Sequence, residues 1–183
     1  MGKQFEEITP SLRDWIEAQR VFFVASAPLS ADGHVNCSPK GLDTLRIVGP
    51  REVAYLDLTG SGAETIAHLR ENGRIVVMFC ALEGPPRIVR LHGRGTVVLP
   101  GSPDWARLRA GFPEHLGDRA IIRIELGRIS DSCGFGVPLY EFVEERAALP
   151  QWCEKKGMDG LARYQRDKNA QSIDGLPSLA DPD

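Results

Sequence analysis

The amino-acid sequence predicts a mainly β fold with flanking helices, built on an antiparallel sheet of six or seven short strands. Strand-like runs at 21–26, 34–38, 45–48 and 52–57 are separated by turn signals only a few residues long. Connections that short pair strands antiparallel, because a parallel pair needs a long crossover. One helical pattern is inserted between strands, and Gly93 and Gly95 interrupt an otherwise long strand in the way bulges or barrel bends do. A small closed barrel is therefore preferred over a sandwich, since closure removes exposed edges.

The elements follow in order. Thr9-Pro10-Ser11 ahead of Leu12, Trp15, Ile16 and Gln19 reads as the capped start of an amphipathic helix. Val21-Phe22-Phe23-Val24-Ala25-Ser26 is a dense run of β-formers, and Ala31-Asp32-Gly33 turns the chain into His34-Val35-Asn36-Cys37-Ser38. Residues 45–48 and 52–57 are joined by Gly49-Pro50-Arg51. A short helix over 63–71 ends at Asn72-Gly73, a C-cap pair. Arg74-Ile75-Val76-Val77-Met78-Phe79 is apolar without alternation, the pattern of a strand buried on both faces. After Glu83-Gly84-Pro85-Pro86, residues 87–99 form a long strand, 104–110 a helix and 120–129 the last strong strand. The remainder reads as helix and loop, fading into Asp181-Pro182-Asp183. The expected organisation is a barrel domain over residues 1–138, including the N-terminal helix, and a helical extension over 139–183 that packs on the barrel or on a dimer partner.

Composition narrows the function. Basic residues number 22 against 25 acidic, so no bulk electrostatic field favours nucleic acid or a membrane surface. No apolar run approaches the roughly 18 residues of a membrane helix, and the N-terminus lacks the apolar core of a secretory signal. A cytoplasmic location and free thiols at Cys37, Cys80, Cys133 and Cys153 are expected. His34, His68, His92 and His115 show no metal-ligand spacing.

Two loops carry the chemistry. Asp57-Leu58-Thr59-Gly60-Ser61-Gly62-Ala63-Glu64-Thr65 leaves a strand, passes two glycines flanked by hydroxyls and enters a helix. Such a turn aims N–H groups, hydroxyls and a helix N-terminus at one point, which suits a phosphate. Ser38-Pro39-Lys40-Gly41-Leu42-Asp43 supplies a cation, Lys40, on a stiff corner. Neither a Walker A loop nor a Gly-x-Gly-x-x-Gly fingerprint is present, so the phosphate-bearing ligand is held by another fold. The plainer alternatives are a solvated Lys40 and a capping box, with Ser61 as N-cap and Glu64 at N3. Asp57 alone reads more readily as an ordinary turn residue, and Glu64 and His68 as a solvated pair on one helix face. Trp152 and Tyr164 read as core or interface anchors.

Over residues 22–98 the chain resembles the pyridoxamine 5′-phosphate oxidase-like family of flavin-binding split β-barrels. The resemblance rests on Ser38-Pro39-Lys40-Gly41, on the segment from Tyr55 to Gly62, and on Arg87-Ile88-Val89-Arg90-Leu91-His92-Gly93-Arg94-Gly95. Ser132-Cys133-Gly134-Phe135-Gly136-Val137-Pro138 is similar to a loop of one branch of that family. It implies a six-stranded antiparallel split barrel, and a homodimer with two FMN molecules at the interface, each contacted by both protomers. The FMN contacts it implies are Ser38, Lys40, Gly41, Asp57, Thr59, Ser61, Gly62, Thr65, Arg87, Ser132, Cys133 and Gly134. Of Arg87 and Arg90, three apart and so on opposite strand faces, Arg87 follows the rigid Pro85-Pro86 and is the one expected at the ligand. The Arg-x-x-Leu-Leu-Lys strand and the C-terminal Trp-Arg-Leu-x-Pro segment of the true oxidases are absent, which separates the flavin site from the vitamin substrate. The activity implied is a flavin hydride transfer on a small molecule, with no acid or base singled out. Non-catalytic flavin or haem storage, or use of a deazaflavin, are the alternatives.

Overall fold

The computed structural model describes residues 2–179. One sheet contains β1 (Gln4–Phe5), β2 (Phe22–Ser26), β3 (Asn36–Lys40), β4 (Leu45–Gly49), β5 (Glu52–Leu58), β6 (Arg74–Cys80), β7 (Ile88–Val98) and β8 (Asp118–Ser132). The helices are α1 (Pro10–Glu17), α2 (Glu64–Asn72), α3 (Trp105–Arg109) and α4 (Ala148–Lys168). The order is β3-β2-β6-β7-β8-β5-β4, with β1 beside β8, and every pairing is antiparallel. The expected class holds, with eight strands rather than six. The short β1 is too brief to show a period; it forms because it docks on Ser130 and Ile129 of β8.

Closure is partial. β3 and β4 end the sheet and are joined by the corner 41–44, where Leu42 (φ 59°) and Asp43 (φ 53°) both take the left-handed conformation. Such residues cost energy, so the surroundings must hold them. Thr44 Oγ1 donates to Gly41 O at 2.6 Å, and the Arg46 fork grips Asp43 at 2.8 and 2.9 Å. The split between the sheet's ends is what leaves room for a cleft.

The core is filled from one face of the sheet and from two helices. Leu12 and Ile16 of α1 and Ile66 and Leu69 of α2 pack on Val24, Tyr55, Val77, Leu91 and Ile122. Each such aliphatic side chain contributes about 1.5–3 kcal/mol on burial. Thr9 caps α1, its Oγ1 accepting the Leu12 N–H at 3.3 Å, and Gly73 (φ 70°) closes α2. At Gly95 a Cβ would stand 2.8 Å from Leu69 Cδ1, so the missing side chain is what lets α2 lie against β7. The expected bulge falls between His92 and Gly93.

Three expectations need correcting. β6 is not buried on both faces: Ile75, Val77 and Phe79 point inward, while Val76 and Met78 are half-exposed on the outside. A sheet packed on one side alternates, and here both kinds of position happen to be apolar. The N-cap of α2 is Ala63, with no side-chain cap, so Ser61 does not form a capping box. His68 is fully buried rather than solvated, its Nδ1 sharing a 2.9 Å hydrogen bond with Ser26 Oγ. Burial lowers its pKa. The C-terminal helix is α4, broken at Gly157 (φ 65°, ψ 171°), while Asp181-Pro182-Asp183 lies outside the described residues.

Candidate functional site

A cleft of about 540 Å³ opens where β3 faces the loop between β5 and α2. Alternation on β3 sends residues 36, 38 and 40 to one side, and Asn36, Ser38 and Lys40 all line the cleft. The opposite bank is Gly60, Ser61, Gly62, Glu64 and Thr65, with Asp57 and Arg119 at the base. Asn36 Nδ2 donates to Thr65 Oγ1 at 3.0 Å, and Ser38 Oγ to Asn36 Oδ1 at 3.2 Å, which ties the two banks together.

The base is a buried charge cluster. Asp57 is 1% exposed and lies between Lys40 Nζ (3.2 Å) and Arg119 Nε (2.8 Å). Burial pushes its carboxyl up, but the charges of Arg119 and Lys40 and their hydrogen bonds outweigh it, and the net shift is down. Arg119 spends Nε on Asp57 and Nη2 on Gly62 O at 2.8 Å. Its Nη1 is buried without a hydrogen-bond partner. A buried donor left unpaired is costly, about 1–3 kcal/mol, so an acceptor in the cleft gains by meeting it. The first intrahelical bond of α2 runs from Ala67 N–H to Ala63 O, which places the first-turn N–H groups of Glu64, Thr65 and Ile66 beyond the helix ladder. Three basic side chains, Lys40, Arg119 and Lys168, outnumber the carboxylates of Asp57 and Glu64.

The expected residues divide into groups. Ser38, Lys40, Asp57, Ser61, Gly62 and Thr65 come together in the cleft. Thr59 is fully buried and turned away: its N–H and Oγ1 donate to Gly117 O at 2.7 and 2.8 Å. Gly41 borders a second, more apolar hollow of about 820 Å³ beneath residues 140–149, which Lys40 also borders. Arg87, Ser132, Cys133 and Gly134 gather elsewhere, where β7 begins and β8 ends. Arg87 Nη2 meets Asp131 Oδ2 at 2.9 Å, and the guanidinium lies over Trp15 (5.1 Å) and Phe5 (5.8 Å). Ser132 Oγ accepts from Arg90 Nη1 at 3.0 Å, and a Cβ on Gly134 would stand 3.0 Å from the Arg87 backbone nitrogen. Cys133 is exposed.

Cleft residues that were not among the expected contacts include Asn36, Glu64, Arg119, Lys168, Gln171 and Ser172. The period of two along 36, 38 and 40 carries a signal for Asn36. Arg119, a charge entering an apolar strand, carries a weaker one. The last three are brought by tertiary contact and leave no local trace. Among the described residues no group of His, Cys, Asp and Glu could hold a metal ion. Among those same described residues, no helix is long and apolar enough to cross a membrane.

Comparison with known proteins gives the family and the fold. The family model described as pyridoxamine 5′-phosphate oxidase matches residues 8–133. A pyridoxamine 5′-phosphate oxidase family protein of Aspergillus flavus, ustO, is 41% identical over 192 residues, covering 96% of this chain and 77% of that protein. Two solved structures share the fold. HupZ of Group A Streptococcus is 24% identical, with a TM-score of 0.53 over 67% of this chain and 91% of its own. HutZ of Vibrio cholerae, a haem storage protein, is 16% identical, with a TM-score of 0.50 over 70% and 98%.

Proposed function

The chain belongs to the pyridoxamine 5′-phosphate oxidase family, and from that premise we propose that the cleft binds FMN by its phosphate in an oxidoreductase acting on a small molecule. The observation that carries this reading is the buried, unpartnered Arg119 Nη1 at the base of a cleft that also holds Lys40 and a helix N-terminus. An anion with several acceptor oxygens fits that donor set. Lys40 and Arg119 hold the phosphate, Ser38, Ser61 and Thr65 offer hydroxyls, and the first turn of α2 offers N–H groups. Asp57 does not serve as an acid or base; clamped between two cations, it stays ionised and keeps both in place. Bound flavin supplies two-electron hydride chemistry. The larger hollow that shares Lys40 is the candidate place for the substrate.

A homodimer is part of the same proposal. On the outer sheet face, Phe23 and Ala25 of β2 register with Met78 and Val76 of β6, a half-exposed apolar strip that a second copy would cover. Purified protein tests the whole reading. The expected result is the twin near-ultraviolet and blue bands of oxidised flavin, bleached by a nicotinamide donor, on a particle sedimenting as a dimer. A Soret band, a single violet deazaflavin band, or a flavin that no donor bleaches would reject it in favour of haem, deazaflavin or storage.

A further inference from the structure

The family match ends at residue 133, yet one wall of the cleft comes from far beyond it. Residues 165–179 form a strap anchored on both banks. On the loop bank, Gln165 Nε2 donates to Thr59 Oγ1 at 2.8 Å and Asn169 Nδ2 to Gly60 O at 3.0 Å. The Ile173 N–H donates to Glu64 Oε2 at 3.0 Å, and Ser178 Oγ to Ala63 O at 2.9 Å. On the other bank, in the hairpin leading into β3, the His34 N–H donates to Asp174 Oδ2 at 2.8 Å, and His34 Nδ1 shares a 2.6 Å hydrogen bond with Asp174 Oδ1. The strap turns at Gly175 (φ 76°) and is braced by Ser172 Oγ, which accepts the N–H groups of Asp174 and Leu176. Asn169 and Ser178 are fully buried, so these anchors belong to the fold. Lys168, Gln171 and Ser172 line the cleft between them.

We infer that the strap is a specificity element that selects a ligand whose phosphate is its last group, a flavin mononucleotide, against one that continues through a second phosphate into a nucleoside. The inference rests on the flavin reading above. A terminal phosphate lies between β3 and α2, with Lys168 adding a third cation at the strap end. A dinucleotide has to leave the cleft where the strap crosses it, and it displaces the Asp174–His34 contact to do so. Selectivity arises from that obstruction as much as from attraction.

Protein stripped of bound ligand is titrated with FMN and with FAD, following flavin fluorescence. Wild type is expected to bind FMN at least roughly tenfold more tightly than FAD. Asp174→Ala removes both of these hydrogen bonds and His34→Ala the imidazole one, from opposite banks, so agreement between them excludes a folding fault in either. Each should bring the ratio to about threefold or less by improving FAD, with FMN affinity held within about twofold. Lys168→Gln, at an exposed position, should weaken FMN by about three- to tenfold. Equal affinities in wild type, or a ratio that neither strap variant moves, overturn the inference and leave the flavin reading standing. Failure of both flavins to bind overturns both.

Discussion

Two aspartates on this sheet each hold an arginine, and they do different things. Asp131 meets Arg87 at 2.9 Å, accepts the Lys3 N–H at 2.8 Å, and remains partly open to solvent. Arg87 puts Nε and Nη2 on that carboxylate, with the Trp15 and Phe5 rings beside its guanidinium. Asp57 sits at the bottom of a cleft with side-chain exposure of 2%, holds two cations, and leaves Arg119 with a nitrogen to spare. The first arrangement fastens β1 and α1 to the sheet. The second keeps two cations at the wall of the cleft. An arginine's role is set by what its carboxylate partner leaves unsatisfied.

The comparison breaks most visibly on stability. Asp57→Ala strands the buried Arg119 and the part-exposed Lys40 and should cost about 3–5 kcal/mol, whereas Asp131→Ala loosens a half-open pair worth about 1 kcal/mol or less. Denaturant unfolding of the two variants checks this; similar losses would erase the distinction. Ligand binding gives the next largest contrast. Lys40→Ala, and Arg119→Lys, which keeps the charge and loses the fork, should each weaken FMN by roughly ten- to a hundredfold. Arg87→Ala should change it by less than about twofold in the same titration. A loss as large as that of Lys40→Ala would show that Arg87 reaches the ligand, as it could across a dimer interface.

Acid titration sharpens the contrast with the smallest effect. Both carboxyls are held below their ordinary range: burial pushes each up, but it is outweighed at Asp57 by Arg119 and Lys40, and at Asp131 by the Lys3 N–H and Arg87. A lowered folded-state pKa gives stability that is full above the unfolded value near about 4 and fades as pH falls through the folded one. Stability should therefore decline below about pH 5, and Asp57→Asn should flatten that decline more than Asp131→Asn. Equal slopes in the two variants would mean that the deeper burial of Asp57 adds no coupling.

Much of this protein was legible in its residues. Short turns between β-rich runs determine an antiparallel sheet, because no crossover fits between such strands. Thr9, Gly73, Gly93 and Gly95 mark a cap, a helix end, a bulge and a close packing through backbone chemistry that acts locally. The Gly60–Thr65 turn and Lys40 stand out for the same reason, since N–H groups, hydroxyls and a cation are visible in the chain itself, and the fold brings them to one cleft. Tertiary structure decided the rest. Arg87 and Arg119 look alike as arginines at the mouths of strands, and only the fold gives one an open surface pair and the other a buried base. Thr59 carries the same hydroxyl as Thr65, yet Gly117 and Gln165 turn it inward. The strap of residues 165–179 meets the 59–64 loop across more than a hundred residues of chain. No local pattern encodes a contact of that separation, because its energy exists only once the sheet has brought both partners to the same cleft.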